Sequence, residues 1–123
     1  MAISFPSGQG SYSKMRQLKW SSTERAIARR CFDRALRQEL DAAIQSTKAM
    51  AAKIRQPSEL WDLEYRLTQL RKTIDSRYEY KYSKLVFVFV DLVREGKLRI
   101  EDLHGLSEEK LRYIRQHAEE SAA

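Results

Sequence analysis

Leu60, Leu63, Leu67, Leu70 and Ile74 recur at spacings of 3, 4, 3 and 4. Such a repeat is the seam of a helix that packs along one line. Two heptads are fewer than a sustained coiled coil uses, so the seam reads as one face of a helix within a bundle. Pro57 ends whatever precedes it, and Ser58 offers an N-cap for this helix. Upstream, Ser21 and Glu24 have the S-x-x-E spacing of a capping box, in which the hydroxyl takes an orphan amide and the carboxylate reaches back. With no Gly or Pro before Pro57, the helix that starts there extends over about 34 residues, roughly 50 Å. Its apolar positions Ile27, Cys31, Leu36, Leu40, Ile44, Ala51 and Ile54 drift around the surface at mixed three- and four-residue steps. A helix longer than the usual globular one needs a neighbour along its length, as in a coiled coil.

Residues 85–90 read Leu-Val-Phe-Val-Phe-Val, which local propensity assigns to a strand. Only one such segment exists, and a lone strand has nothing to pair with. The run continues through Asp91 and Leu92 to Glu95 and Gly96, the pattern of a helix C-terminus closed by glycine. The expectation is therefore a buried helix ending at Glu95. A turn over residues 100–105 follows, and Ser107 caps a last helix with Glu108 and Glu109 in its positive first turn. Residues 1–20 are rich in Ser, Gly and basic side chains and hold no acid. They lack the apolar stretch of a secretory signal and read as a flexible basic tail.

Composition narrows the class. A chain of 123 residues fits one domain. With 42% apolar and 33% charged residues it is too apolar for disorder and too charged for a membrane protein. Its longest apolar run is far short of the roughly 18–20 residues that span a bilayer. One cysteine, Cys31, excludes an intrachain disulfide framework and a cysteine-based zinc cluster, and His104 and His117 alone leave little for a metal. The expectation is a cytoplasmic helical protein with no cofactor. The net charge of +6 is unevenly spread: residues 1–56 hold 11 Lys/Arg against 4 Asp/Glu, or +7, and residues 57–123 hold 12 against 13, or −1. A basic face could meet nucleic acid, an anionic membrane or an acidic protein. A solvated helix face explains it more simply, because Arg and Lys are good helix formers.

Candidate chemistry is sparse. Ser107-Glu-Glu-Lys110 has the S-x-x-K spacing of serine acyltransferases, but the companion motifs are missing and a helix cap accounts for the serine. Glu24, Asp33, Glu39 and Asp41 have no histidine in reach along the helix, and no glycine-rich phosphate loop is present. Tyr78, Tyr80 and Tyr82 beside Lys81 and Lys84 suggest a base-stacking platform. On a helix, however, alternate residues diverge by about 200°, which favours packing roles for the tyrosines. Trp61 lies one residue off the seam with Tyr65 and Arg66 nearby, a composition typical of protein–protein hot spots, though it could equally cover the bundle core. Phe87 and Phe89, two apart, point to different sides of a helix, so one belongs to the core and the other to the surface.

Leu60-Trp61, Arg71, Ile74-Asp75, Tyr78, Phe87-Val88-Phe89, Leu92-Val93, Glu95-Gly96 and Asp102-Leu103 together resemble the fluorescence recovery protein family of cyanobacteria. Phe32, Ala35 and Glu39-Leu40 resemble its first helix, so the likeness covers residues 20–114. The resemblance implies an all-α fold: a stalk of two long helices (21–76) and a smaller helical head (77–123) within one domain, 21–123. It implies a homodimer through the stalk, for which Leu60, Leu63, Leu67, Leu70 and Ile74 are the candidate interface. It also implies a non-enzymatic regulator that binds the light-activated orange carotenoid protein and hastens its return to the resting form, which frees the phycobilisome from quenching. Carried over residue by residue, Trp61 and Arg71 match the family's stalk patch. Glu64 and Tyr65 stand where well-known members carry His and Asp. Phe87 matches the head site, and Tyr113 stands in place of a nearby Lys. These departures are those of a divergent member. The alternatives are a helical adaptor of the same fold acting on another protein and, less favoured, a basic nucleic-acid-binding module.

Overall fold

The computed structural model describes residues 13–122, with side chains through residue 119. Four α-helices follow one another: α1 (Ser22–Ala52), α2 (Pro57–Arg77), α3 (Leu85–Arg94) and α4 (Glu108–Ala122), with a 3-10 turn (Ile100–Leu103) before the last. A short helical turn over residues 13–17 precedes them. The described residues contain no strand.

The capping box at the start of α1 forms as its spacing predicts. The Glu24 amide donates to Ser21 Oγ at 3.1 Å and the Ser21 amide donates to Glu24 Oε1 at 3.0 Å. α1 runs for 31 residues and stops at Ala52, slightly short of the expected length. α2 begins differently from expectation. Pro57 occupies the first turn, where its missing N–H costs nothing, and Gln56 is the cap. Ser58 lies inside the helix, and Glu59 supplies the acceptor instead, taking the Arg55 and Gln56 amides at 3.1 and 2.9 Å.

Residues 85–90 are helical, and Leu85, Val86, Val88, Phe89, Val90 and Leu92 of α3 are all buried. The propensity cost of β-branched residues is at most about 0.7 kcal/mol each, whereas burying each side chain contributes roughly 1.5–3 kcal/mol. Burial wins. α3 ends at Arg94 in a Schellman motif: Gly96 has φ +74°, its amide donates to Val93 O, and the Lys97 amide donates to Leu92 O.

α1 and α2 form the stalk hairpin, but the core lies at one end of it. The buried residues of α1 all fall between Glu24 and Ala35, and Ile74 is the buried residue of α2. Ile27, Ala28, Cys31, Phe32 and Ala35 of α1 join the buried side chains of α3, Leu98, Leu103, Leu106 and Ile114 in one apolar cluster. The first third of α1 is therefore packed with the head elements. The tail expectation also changes. Residues 1–12 lie outside the described residues, while Met15 and Trp20 are each only 5% exposed and belong to the core.

The tyrosines pack as expected, but not on a helix. Residues 78–81 are not helical, and the Tyr78 and Tyr80 side chains converge. Tyr78 and Tyr80 both meet Phe32 edge-on (centroids 5.4 and 4.9 Å apart), and Tyr82 packs on Tyr80 and Trp20. Arg29 lies 3.6 Å over the Tyr80 ring.

The head also contains a buried ion pair. Lys110 Nζ donates to Glu24 Oε2 at 2.9 Å and to Lys19 O at 2.7 Å, and the Ser107 amide donates to Glu24 Oε2 at 2.8 Å. This spends Lys110 on structure, and Ser107 Oγ accepts the Lys110 amide as a cap. Burial alone would raise the Glu24 carboxyl, but the amides of Ser21 and Ser107 and the Lys110 ammonium outweigh it and hold it below the ordinary glutamate value.

A group whose folded pKa is depressed contributes stability above its unfolded pKa and loses it as pH falls through the folded value. Chemical denaturation should show stability declining below pH ~4.3, the unfolded glutamate value, with that part of the decline absent in Glu24→Gln. Lys110→Met, which strands the carboxylate, should cost about 3 kcal/mol, and adding Glu24→Leu should restore most of it. Additive losses in the double variant would refute the pairing.

Candidate functional site

The sequence-derived site residues fall on two surfaces. On α2, Trp61 and Tyr65 are four residues apart and Trp61 and Glu64 three apart, so the helix places all three on one face. Trp61 and Tyr65 are each 64% exposed, and Glu64 is exposed. Trp61 thus does not cover the core of the single chain. Arg71 is also exposed, but ten residues on from Trp61 it lies about 15 Å along the axis and about 80° around it. It borders a groove of about 680 Å³ between α1 and α2, lined by Leu36, Leu40, Ile44, Leu67, Leu70 and Ile74 among others.

The seam residues are graded along this hairpin. Ile74 is buried, Leu63 and Leu70 are half-buried, and Leu60 and Leu67 remain exposed. On the opposite side a second groove of about 280 Å³ is bordered by Leu63, Leu67 and Leu70 of α2 with Ala42, Ala43 and Met50 of α1. Leu67 therefore wedges between both grooves. A two-helix hairpin cannot bury its own seam, because each helix has one neighbour and the apolar stripe is wider than that contact.

The second surface is in the head. Phe87 of α3 meets Tyr113 of α4 edge-on, with centroids 5.8 Å apart. Tyr113 stacks on His117 at 3.9 Å, one turn further along α4. His117 Nδ1 lies 2.9 Å from Tyr113 O, and since a carbonyl only accepts, Nδ1 carries the proton. Val90, Asp91 and Arg94 complete a cleft of about 230 Å³, with the Asp91 and Arg94 side chains paired at 3.0 Å. Phe89 is fully buried, while Phe87 is half-buried and packs against the same core rather than standing at the surface as expected.

Sequence reasoning named Phe87 and Tyr113 but not His117, Asp91 or Arg94. The signal was available: Phe87 and Asp91, like Tyr113 and His117, are four residues apart on one helix and share a face. The two surfaces are separate. Trp61 stands 16 residues before the end of α2 at Arg77, about 24 Å up the stalk from the head.

A junction fixes stalk to head. Arg77 pairs with Glu39 at 2.9 Å and Glu95 at 2.7 Å, and Tyr78 Oη donates to Glu39 at 2.6 Å. Burial, then the bond to the Glu39 carboxylate, pushes the Tyr78 phenol well above its ordinary value. The remaining reactive groups are occupied structurally. Burial pushes the Cys31 thiol up, and its Sγ donates to Asp102 O at 3.2 Å. Among the described residues no group of three or more His, Cys, Asp or Glu could hold a metal ion, and no helix is long and apolar enough to cross a membrane.

Comparison with known proteins agrees with this architecture. The family described as photoprotection regulator fluorescence recovery protein matches residues 20–118. The fluorescence recovery protein of Synechocystis sp. is 35% identical over 91 residues, which cover 74% of this chain and 84% of that protein. The solved structure of the Fremyella diplosiphon protein superposes with a TM-score of 0.79 at 36% identity, over 82% of this chain and 99% of that one. The Synechocystis structure gives 0.78 at 34% identity with the same coverage. The all-helical fold is that of these neighbours, and this chain belongs to the fluorescence recovery protein family of photoprotection regulators.

Proposed function

We propose that this chain is a non-enzymatic, cytoplasmic regulator that binds the photoactivated orange carotenoid protein and speeds its return to the resting state, working as a homodimer joined through the stalk. The observation that carries the reading is the match of residues 20–118 to a family of photoprotection regulators. The geometry is consistent with binding rather than chemistry: an exposed aromatic face on α2, a half-open apolar seam, and an aromatic cleft in the head. A protein that only binds can still accelerate a conformational change, provided it holds the crossing conformation more tightly than the starting one. Each tenfold in rate requires about 1.4 kcal/mol of such preference. Trp61, Glu64, Tyr65 and Arg71 on the stalk and Phe87 and Tyr113 in the head are the proposed contacts.

A second reading is a helical adaptor of the same fold with another protein partner. It is favoured by Glu64, Tyr65 and Tyr113, which differ in charge from the His, Asp and Lys that the family resemblance leads one to expect.

The seam makes the assembly testable. Light scattering at micromolar concentration should report a dimer, since Leu40, Ile44, Leu60 and Leu67 each leave 40% or more of their area exposed in one chain. Leu67→Glu should weaken it by about tenfold or more by setting unpaired charges in the seam. A compact wild-type monomer would reject the stalk dimer.

Activity is read from the red-to-orange return of the photoactivated carotenoid protein in the dark. Addition of this chain should shorten it. Trp61→Ala, at a site too exposed to matter for the core, should cost about 2 kcal/mol of partner affinity, some thirtyfold. Tyr65→Asp should increase the acceleration. If carotenoid proteins from several sources recover no faster with wild type than without it, the adaptor reading takes over.

A further inference from the structure

Residues 13–19 precede the span 20–118 that the family match covers, yet they are built into the head. Their helical turn buries Met15, and Leu18 packs against the same apolar cluster. Lys14 Nζ pairs with Glu109 Oε2 of α4 at 2.8 Å, and the Lys19 carbonyl accepts the buried Lys110 ammonium. The segment is a layer of the head that lies outside the matched span.

Helix register shows what that layer lies beside. Glu109 and Tyr113 are four residues apart on α4, on one face and about 6 Å apart along the axis. Lys14 is thus tied down one turn from the aromatic floor of the head cleft. A partner of standard size covers about 800 Å² on each side, a disc of roughly 16 Å radius. Seated on Phe87 and Tyr113, it reaches well past Glu109 and overlaps the turn over residues 13–17. The charged part of this tie is weak, since Lys14 and Glu109 have side chains 65% and 40% exposed, in the range where an ion pair contributes little, so Met15 and Leu18 carry most of the docking.

We propose that residues 13–19 are an intramolecular clasp that gates the head cleft: docked through Lys14, Met15 and Leu18 it fences the Phe87–Tyr113 surface, and a protein partner must displace it to bind there. The proposal rests on the reading of that cleft as a partner surface. It makes the strength of the clasp a control on partner access, set by residues outside the matched family span.

The test uses the full chain and two releasing variants, Lys14→Glu, which faces Glu109 with a like charge, and Met15→Asp, which removes the apolar anchor. Hydrogen–deuterium exchange should rise across residues 13–20 in both, with α3 and α4 still protected. Affinity for the photoactivated orange carotenoid protein should then tighten by about tenfold for Met15→Asp and less for Lys14→Glu. The charge swap Lys14→Glu/Glu109→Lys should return both readouts toward wild type. Unchanged exchange at residues 13–20 in both variants overturns the clasp. Raised exchange with equal or weaker binding overturns the gating, because the turn then supports the head or contacts the partner itself. If neither wild type nor any variant binds, the reading of the cleft fails, whatever the exchange data say of the clasp.

Discussion

The Glu24 carboxylate is the point on which the head depends. One oxygen accepts the Ser21 amide and closes the N-terminus of α1; the other accepts the Ser107 amide and the Lys110 ammonium and so sets where α4 begins. Lys110 carries the connection on to the Lys19 carbonyl and lies over the Trp20 ring at 4.6 Å. Two stretches distant in sequence, residues 19–24 and 107–110, meet at this ion pair. A carboxylate this enclosed is tolerable because its acceptor capacity is used by partners that favour its charged form. The arrangement also specifies geometry, since a shift of α4 by one residue would take the Lys110 ammonium and the Ser107 amide away from the same Glu24 oxygen.

From that corner the molecule becomes less saturated with distance. Near Glu24 the side chains of α1, α3 and α4 interlock, and Leu85, Phe89, Leu92, Leu103 and Ile114 are closed off from solvent. At Arg77 a charged junction to Glu39 and Glu95 still anchors the stalk. Beyond it α1 and α2 have only each other, and Leu40, Ile44, Leu60 and Leu67 stay partly in water. The chain therefore has one end specified internally and one end whose apolar surface calls for another molecule. Its surface chemistry follows the same division, with isolated aromatics and aliphatics on the stalk and an aromatic cleft with a paired Asp91–Arg94 rim in the head.

What the sequence revealed depended on whether the governing interaction was local. Ser21 and Glu24 lie three residues apart, so their box was legible, as was the seam spacing of α2. The helix over residues 85–90 was reached against its propensity by asking what a lone strand would pair with. Lys110 was not legible: on α4 it looks like any solvated lysine, and its partner is 86 residues away. Met15 and Trp20 were hidden by their neighbours, because a Ser-, Gly- and Lys-rich segment reads as a tail unless one knows which surface awaits it. The tyrosines were misplaced for a related reason. A helical period was carried past Arg77, whereas the non-helical backbone after it brings the Tyr78 and Tyr80 rings together on Phe32. In the candidate site, Phe87 and Tyr113 came from resemblance, while His117, Asp91 and Arg94 required knowing that α3 and α4 face each other across the cleft.

Membership of a family of photoprotection regulators shifts the explanatory weight to binding energy. Cys31, Lys110, Tyr78 and Ser107 each have the chemistry a catalyst could use, and each is held in a structural hydrogen bond. For the proposed regulator, selectivity for one conformation of a partner has to come from where contacts are placed. Two separate surfaces on one frame can do this, because a partner meets both only in a conformation whose own surfaces are spaced to match. The ion pairs of Arg77 with Glu39 and Glu95, and the Tyr78–Glu39 hydrogen bond, tie the stalk to the head between them. If the head swung freely on the stalk, the two contacts would adapt to several partner conformations, and the differential affinity needed to shift an equilibrium would shrink accordingly.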